Sequence, residues 1–216
     1  QFGSSASDAF TSAAISTTDE IYITGYTRGN FDGGGLAGKY DSFILRVDSN
    51  GNQLGIVQDG DSCGGNASTG KGIGFAGVIA VDSSGNYYQA GLTGGDIDGL
   101  SHSHSAASGG NPIYETNSNC SGCFANNRND IFIRKYNSSH VRQWTKLLDS
   151  RTNKNSGLTN YWFGSLRMAL SNDGTQLFVG THWNGTFNGQ TSDCQGWGET
   201  KCLLLLSLDT SDGSFN

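Results

Sequence analysis

The sequence predicts an all-β fold in which three tandem copies of one unit, each of about four antiparallel strands, make up a single domain over residues 1–216. Three observations predict it. The first is composition: 33 glycines, 1 proline and only 15% charged residues, with no stretch where Ala, Glu, Lys or Leu recur at helical spacing, leave little to build a helix from. The second is punctuation. Short apolar runs alternate with clusters of Gly, Asn, Asp and Ser, the residues of tight turns, so the chain reads as many short strands. The third is self-similarity, which sets the order of strands within each unit.

In the first unit Ile15 ends an apolar strand, Ser16–Glu20 is a polar turn, and Ile21–Gly25 is a second strand. Val81, then Asp82–Asn86, then Tyr87–Gly91 repeat the pattern, and Leu170, Ser171–Thr175 and Gln176–Gly180 repeat it again. Gly25, Gly91 and Gly180 are aligned with one another, each expected to end a strand where the chain bends or approaches a neighbour closely. A second block follows in each unit: Asp41–Asp48, Asp130–Asn137 and Lys201–Asp209. After a further turn, Leu54, Trp144 and Phe215 open one more strand. The Asp-x-x-Gly turns are expected to supply the positive φ of two-residue hairpins. Four short strands per period make one propeller blade. The repeats run over about 1–66, 67–155 and 156–216, with an insertion at 100–129 in the second.

Gln1-Phe2-Gly3-Ser4-Ser5 followed by Asp8, Val81-Asp82 followed by Gly85-Asn86-Tyr87-Tyr88, Gly91 and Thr93, and Asp41 or Asp130 followed by Phe-Ile and then Arg46 or Lys135 closely resemble the SBBP-type β-propeller repeat. The resemblance covers nearly the whole chain outside 100–129, is clearest in the first copy and most worn in the third. It implies a β-propeller-like fold and a secreted or cell-surface location. It carries no shared catalytic residues, so it implies no activity.

Composition narrows the function classes. Net charge is −6 and no basic stripe exists, which argues against a nucleic-acid partner. No segment approaches the apolar length needed to span a bilayer; the longest apolar run, Leu203–Leu206, suits a buried strand. Gln1 is compatible with an N-terminus left by signal cleavage. Five cysteines, Cys63, Cys120, Cys123, Cys194 and Cys202, are read as structural disulfide candidates, with Cys194 and Cys202 flanking a hairpin loop and one thiol left odd. Sequons at Asn66, Asn119, Asn137 and Asn184 are glycan acceptor candidates, although a composition so rich in Asn, Ser and Thr yields about four by chance. Together these features favour an extracellular compartment.

Candidate chemistry is sparse. His102, His104, Cys120 and Cys123 lie in the insertion, but their spacing matches no recognised zinc site, and a disulfide-pinned surface loop is the simpler reading. Such a loop on a repeat scaffold is the first place to look for a partner-contacting surface. Asp48–Asn52 and Asp82–Asn86 resemble fragments of calcium loops without the late Glu, and Ser171–Thr175 falls one residue short of a Ser-x-Asp-x-Gly box; all three are read as turns. Asp32, Asp98, Asp41 and Asp130 recur at equivalent positions, which points to capping, since a catalytic residue would appear once. Trp183 and Trp197 lie in loop-like segments and are the candidates for stacking on sugars. No cofactor and no catalytic residue is assigned. The expected function is therefore a non-catalytic structural or adhesive module that self-associates or binds other surface proteins. A carbohydrate-binding propeller, or a glycoside hydrolase with paired carboxylates, stands as the alternative. Both chain ends read as parts of one kind of strand, and three blades leave open sheet edges, which favours assembly.

Overall fold

A computed structural model describes residues 1–36, 40–60, 74–93, 97–98, 100, 130–148, 166–183, 186–187, 190–191 and 202–216. These residues form antiparallel sheets, with no helix among them. The first sheet is a meander of β1 (Asp8–Ile15), β2 (Ile21–Thr27), β3 (Asp41–Val47) and β4 (Gln53–Asp59). The second repeats it with β5 (Gly74–Val81), β6 (Tyr87–Thr93), β7 (Asp130–Tyr136) and β8 (Arg142–Leu148). The third sheet joins β9 (Arg167–Leu170), β10 (Gln176–Trp183) and β13 (Cys202–Asp209), while β11 (Thr186–Phe187) and β12 (Gln190–Thr191) pair as a separate short hairpin. The third sheet thus has three strands where about four were expected. Phe215 marks the expected fourth by bridging Leu208, and the Asn216 amide donates to the Ser207 carbonyl at 3.0 Å.

One turn design links the strands. In Asp48–Asn52, Asp82–Asn86 and Asn137–Val141, the first amide donates to the fifth carbonyl at 2.8–2.9 Å and the fourth amide returns to the first carbonyl at 3.0–3.1 Å. The loop therefore has three residues, and the positive φ falls on its third: Gly51 at 83°, Gly85 at 78° and His140 at 63°. This corrects the expectation of two-residue hairpins; a type I turn followed by a left-handed residue is the next commonest solution. The first side chain completes the turn. Asp48 Oδ1 accepts the Asn50 and Asn52 amides, Asp82 Oδ1 those of Ser84 and Asn86, and Asn137 Oδ1 those of Ser139 and Val141, all at 2.8–3.0 Å. The calcium-like Asp48 and Asp82 segments are these turns.

The Ser171 turn is one residue longer, closing from the Ser171 amide to the Gln176 carbonyl. That extra residue shifts the third copy. Leu170 pairs with Leu177 as Ile15 pairs with Ile21 and Val81 with Tyr87. The structural mate of Gly25 and Gly91 is therefore Thr181, and Gly180 lies on the opposite face, because one residue of slip exchanges faces in a strand. Gly25 and Gly91 do not end their strands. Each sits inside one, opposite a bulge at Phe10/Ser12 or Ala76/Val78. A Cβ on Gly25 would drive into the Ala9 carbonyl, whereas a Cβ on Gly180 meets no described atom within 4 Å.

The sheets stack in chain order. Tyr22 and Ile44 of the first sheet pack with Ile79, Tyr87 and Tyr136 of the second. The other face of the second sheet, through Val78, Tyr88, Ala90, Ile131 and Ile133, packs on Leu177, Val179, Leu206 and Leu208 of the third. Sandwiched between neighbours, β6 is buried along its whole length. The leading strand β5 lies against β1, β2 and β3 on one side and against β9 on the other.

Gly25→Ala is expected to cost about 3 kcal/mol through backbone overpacking, while Gly180→Ala stays within about 0.5 kcal/mol of the parent. Urea denaturation of the two variants side by side measures the difference, and equal losses would contradict the one-residue shift of the third copy.

Candidate functional site

The densest group of charged side chains among the described residues lies where the first sheet meets the second. Arg134 occupies the position on β7 that Leu45 holds on β3, and its side chain is 0% exposed. Three features accommodate it. Asp98 receives it with both carboxylate oxygens, from Nε at 2.7 Å and Nη2 at 3.0 Å. Asp59, at the end of β4, lies 3.4 Å from Nη2, bringing in the neighbouring sheet. The Phe132 ring lies 4.9 Å beneath the guanidinium. Arg142 on β8 bridges the two carboxylates from the solvent side, bonding Asp59 at 2.8 Å and also Asp98. Thr145 donates its hydroxyl to Asp98 Oδ2. Asp98 sits in a left-handed conformation at φ 56°, between Ile97 and Leu100, which exchange backbone hydrogen bonds. That is an uncommon place for a non-glycine residue, and the paired carboxylate accounts for it.

Burial pushes the Asp59 carboxyl above the ordinary carboxylate range, against the pull of Arg134. Burial also works against the charge of Arg134, but Tyr136, Asp59 and Asp98 outweigh it and its pKa ends above the usual value. Two guanidiniums and two carboxylates cancel. Both Asp98 oxygens are engaged by guanidinium or hydroxyl donors, so this carboxylate is occupied as an acceptor and holds sheets together.

Further polar cross-links run beside the cluster. Gln89 Nε2 donates to Thr24 Oγ1 at 2.8 Å across the two sheets. Arg46 Nη1 donates to the Ser138 carbonyl at 2.7 Å, and one sheet further on Lys135 Nζ donates to the Thr210 carbonyl at 2.8 Å. Arg46 and Lys135 are repeat mates, as are the turns that receive them, so the same contact joins the first sheet to the second and the second to the third. His140 lies in the same region. Burial and the neighbouring Arg46 lower its pKa, while burial raises that of Tyr87. The 2.6 Å contact between Tyr87 Oη and His140 Nδ1 is therefore a hydrogen bond between a neutral phenol and a neutral imidazole.

Of the recurring aspartates, Asp32 caps its own loop through the Gly34 amide and also accepts the Gln58 amide; Asp41 is fully buried and accepts Gln58 Nε2 at 2.9 Å. Asp98 departs from the capping role expected of it by pairing with Arg134. The backbone of Asp130 pairs with Thr93, and its side chain lies outside the described residues. The Ser171 hydroxyl bonds Asp173, which accepts the Thr175 amide, completing a turn as expected. Asn137 is a turn acceptor like its mate Asp48. Trp183 is corrected from a loop position: it is the last residue of β10, paired with Cys202, because β10 continues past Gly180 along β13. The side chains of Trp183 and Cys202 lie outside the described residues, as do Asn66, Asn119, Asn184, Cys63, Cys120, Cys123, Cys194, Trp197, His102 and His104. Sequence reasoning missed Arg134, Arg142, Asp59 and Gln89. The available signal was an arginine standing where the repeat elsewhere has leucine. Compared with known proteins, no family model matches the chain and no curated protein matches it.

Removing either partner strands a buried charge. Arg134→Leu alone and Asp98→Asn alone are each expected to cost about 3–5 kcal/mol. The double variant should cost at least about 2 kcal/mol less than the sum, which a double-mutant cycle in urea reads directly. His140 supplies a pH test. Its folded pKa lies below the unfolded value of 6.5, so the unfolded chain binds more protons and stability falls as pH drops through that value. Thermal midpoints at about pH 7.5 and 5.5 should differ less in His140→Asn, since asparagine tolerates the left-handed position without titrating.

Proposed function

We propose that this chain is a non-catalytic extracellular building block made of SBBP-type propeller blades, which works by stacking its sheets into a larger surface or filamentous assembly. The observation that carries the reading is the repeated cross-link from Arg46 to Ser138 and from Lys135 to Thr210, which relates each sheet to the next by the same step. A propeller-like arc is further supported by the leading strands, since β5 lies between β1 and β9. The non-catalytic reading draws support from the charged cluster, where arginines take up the carboxylates. The extracellular reading rests on the five cysteines, the sequons and the repeat's resemblance to surface proteins. A glycan on Asn137 would bond its amide nitrogen and leave Oδ1 holding the turn.

Electron microscopy of the native material tests the reading. Chains joined in a ring or filament are expected; separate compact particles at every concentration would overturn it.

A further inference from the structure

The three turns of common design differ in the side-chain pair that completes them. Asp48 and Asp82 use one carboxylate oxygen for the turn amides and give the other to the side chain at the fifth position. There Asn52 Nδ2 and Asn86 Nδ2 donate to it, both at 2.8 Å. The third turn changes both members of that pair. Asn137 keeps the first duty, since its Oδ1 accepts the Ser139 and Val141 amides at 3.0 and 2.9 Å. Its other terminal atom is now a nitrogen, and the fifth residue is Val141, whose side chain offers nothing to bond. Asn137 Nδ2 therefore stands where the mates have a bonded carboxylate oxygen, with no side-chain acceptor at the fifth position. The surroundings are open: Ser138 and Ser139 are exposed, and Val141 is 56% exposed.

We infer that Asn137 is a site at which an N-linked oligosaccharide is attached, and that its turn is built to present the acceptor nitrogen. This rests on the extracellular reading and deepens it by singling out one acceptor among the sequons. Asn137-Ser138-Ser139 supplies the recognised triplet. The turn supplies the chemistry. Attachment forms a bond from Nδ2 to the anomeric carbon of a lipid-linked oligosaccharide. That carbon's bond to the lipid pyrophosphate breaks, the pyrophosphate leaves with the bonding pair, and one Nδ2 proton passes to a base of the transferase. An amide nitrogen is a poor nucleophile because its lone pair is delocalised onto the oxygen. As Nδ2 gives up its proton, charge collects on Oδ1, where the Ser139 and Val141 amides are already placed to stabilise it. All of these bonds lie within residues 137–141, so the turn can form before the sheets stack. In the folded chain Arg46 bonds the Ser138 carbonyl, a group that the modification leaves untouched. Val141 also places exposed apolar surface beside the nitrogen, where the first sugar would lie.

Peptide mapping by mass spectrometry tests the site, on the native chain and on the chain secreted from cultured eukaryotic cells. Digestion with and without peptide N-glycosidase marks each occupied position, because the enzyme leaves aspartate where it removes a glycan. Asn137 is expected to be occupied in both sources. Variants of the secreted chain separate the turn from the triplet. Asn137→Asp retains the design of Asp48 and Asp82, so it should fold like the parent by circular dichroism while losing that glycan. Ser139→Ala keeps the turn amide and should lose the glycan as well. Val141→Asn leaves the triplet intact but gives Nδ2 a partner, so occupancy should fall about fivefold, the weight of one hydrogen bond that must break first. Unchanged occupancy in Val141→Asn overturns the role of the free nitrogen. A native chain recovered outside the cell with Asn137 bare overturns the site and leaves the extracellular reading standing. A native chain found bare and confined to the cell interior overturns both.

Discussion

A four-stranded antiparallel sheet has two faces to dry and can dry neither alone, so the stability of this chain depends on sheet-on-sheet contact. The second sheet carries most of that dependence. Its forward face meets the third sheet with Val78, Tyr88, Ala90, Ile131 and Ile133, an apolar contact that is strong but indifferent to small shifts. Its backward face meets the first sheet with a different mixture, in which Tyr87 and Tyr136 stack 5.1 Å apart beside Gln89 and Arg134. A shift of the first sheet that separated Asp59 from Arg134 would weaken the pairing of a buried guanidinium and is penalised accordingly. Apolar area supplies the adhesion in both joints, and the charges fix the register in one of them.

The turns allow this stacking to repeat. A hairpin closed by an Asp or Asn at its first position satisfies its own amides and leaves carbonyls pointing outward for the neighbouring sheet, where Arg46 and Lys135 use them. His140 is the informative departure. Its mate Gly51 takes the left-handed position without steric cost, while an L-residue there is strained. The hydrogen bond with Tyr87 and the close packing of the imidazole against Gly55 offset that strain, so the turn has become part of the joint.

Much of the fold was legible in the sequence because its signals are local. Asp48 with Gly51 and Asp82 with Gly85 announce their turns within five residues, and Asp41–Val47 and Asp130–Tyr136 announce strands by composition. What was not legible depends on counting along a strand or across the chain. One extra residue in the Ser171 turn moves Gly180 off the position of Gly25, and no composition signal marks it. The length of the turn loop was misjudged because Asp-x-x-Gly is compatible with more than one hairpin closure. The charged cluster was invisible for a plainer reason: Asp98 and Arg134 lie 36 residues apart, and Asp59 joins them from another sheet. Arginine in place of Leu45's equivalent was the trace it left. The recurring aspartates were read as one class, yet Asp32 caps a loop and Asp98 neutralises a buried cation, since repeat mates share a backbone and not an environment.

That last distinction bears on how the joints between sheets respond to conditions. The joint between the first and second sheets adds buried charges to its apolar contact, and the joint between the second and third is apolar with cross-links from Lys135 and Trp144 to the Thr210 carbonyl. Acid therefore acts chiefly on the first of these joints, at Asp59, whereas burial shields the Arg134–Asp98 pair from added salt. The joint between the second and third sheets responds instead to whatever changes the free energy of apolar surface in water, temperature foremost, since that contribution weakens on cooling. The two joints therefore answer to different conditions, because only one of them carries the charges that hold the first sheet to the second.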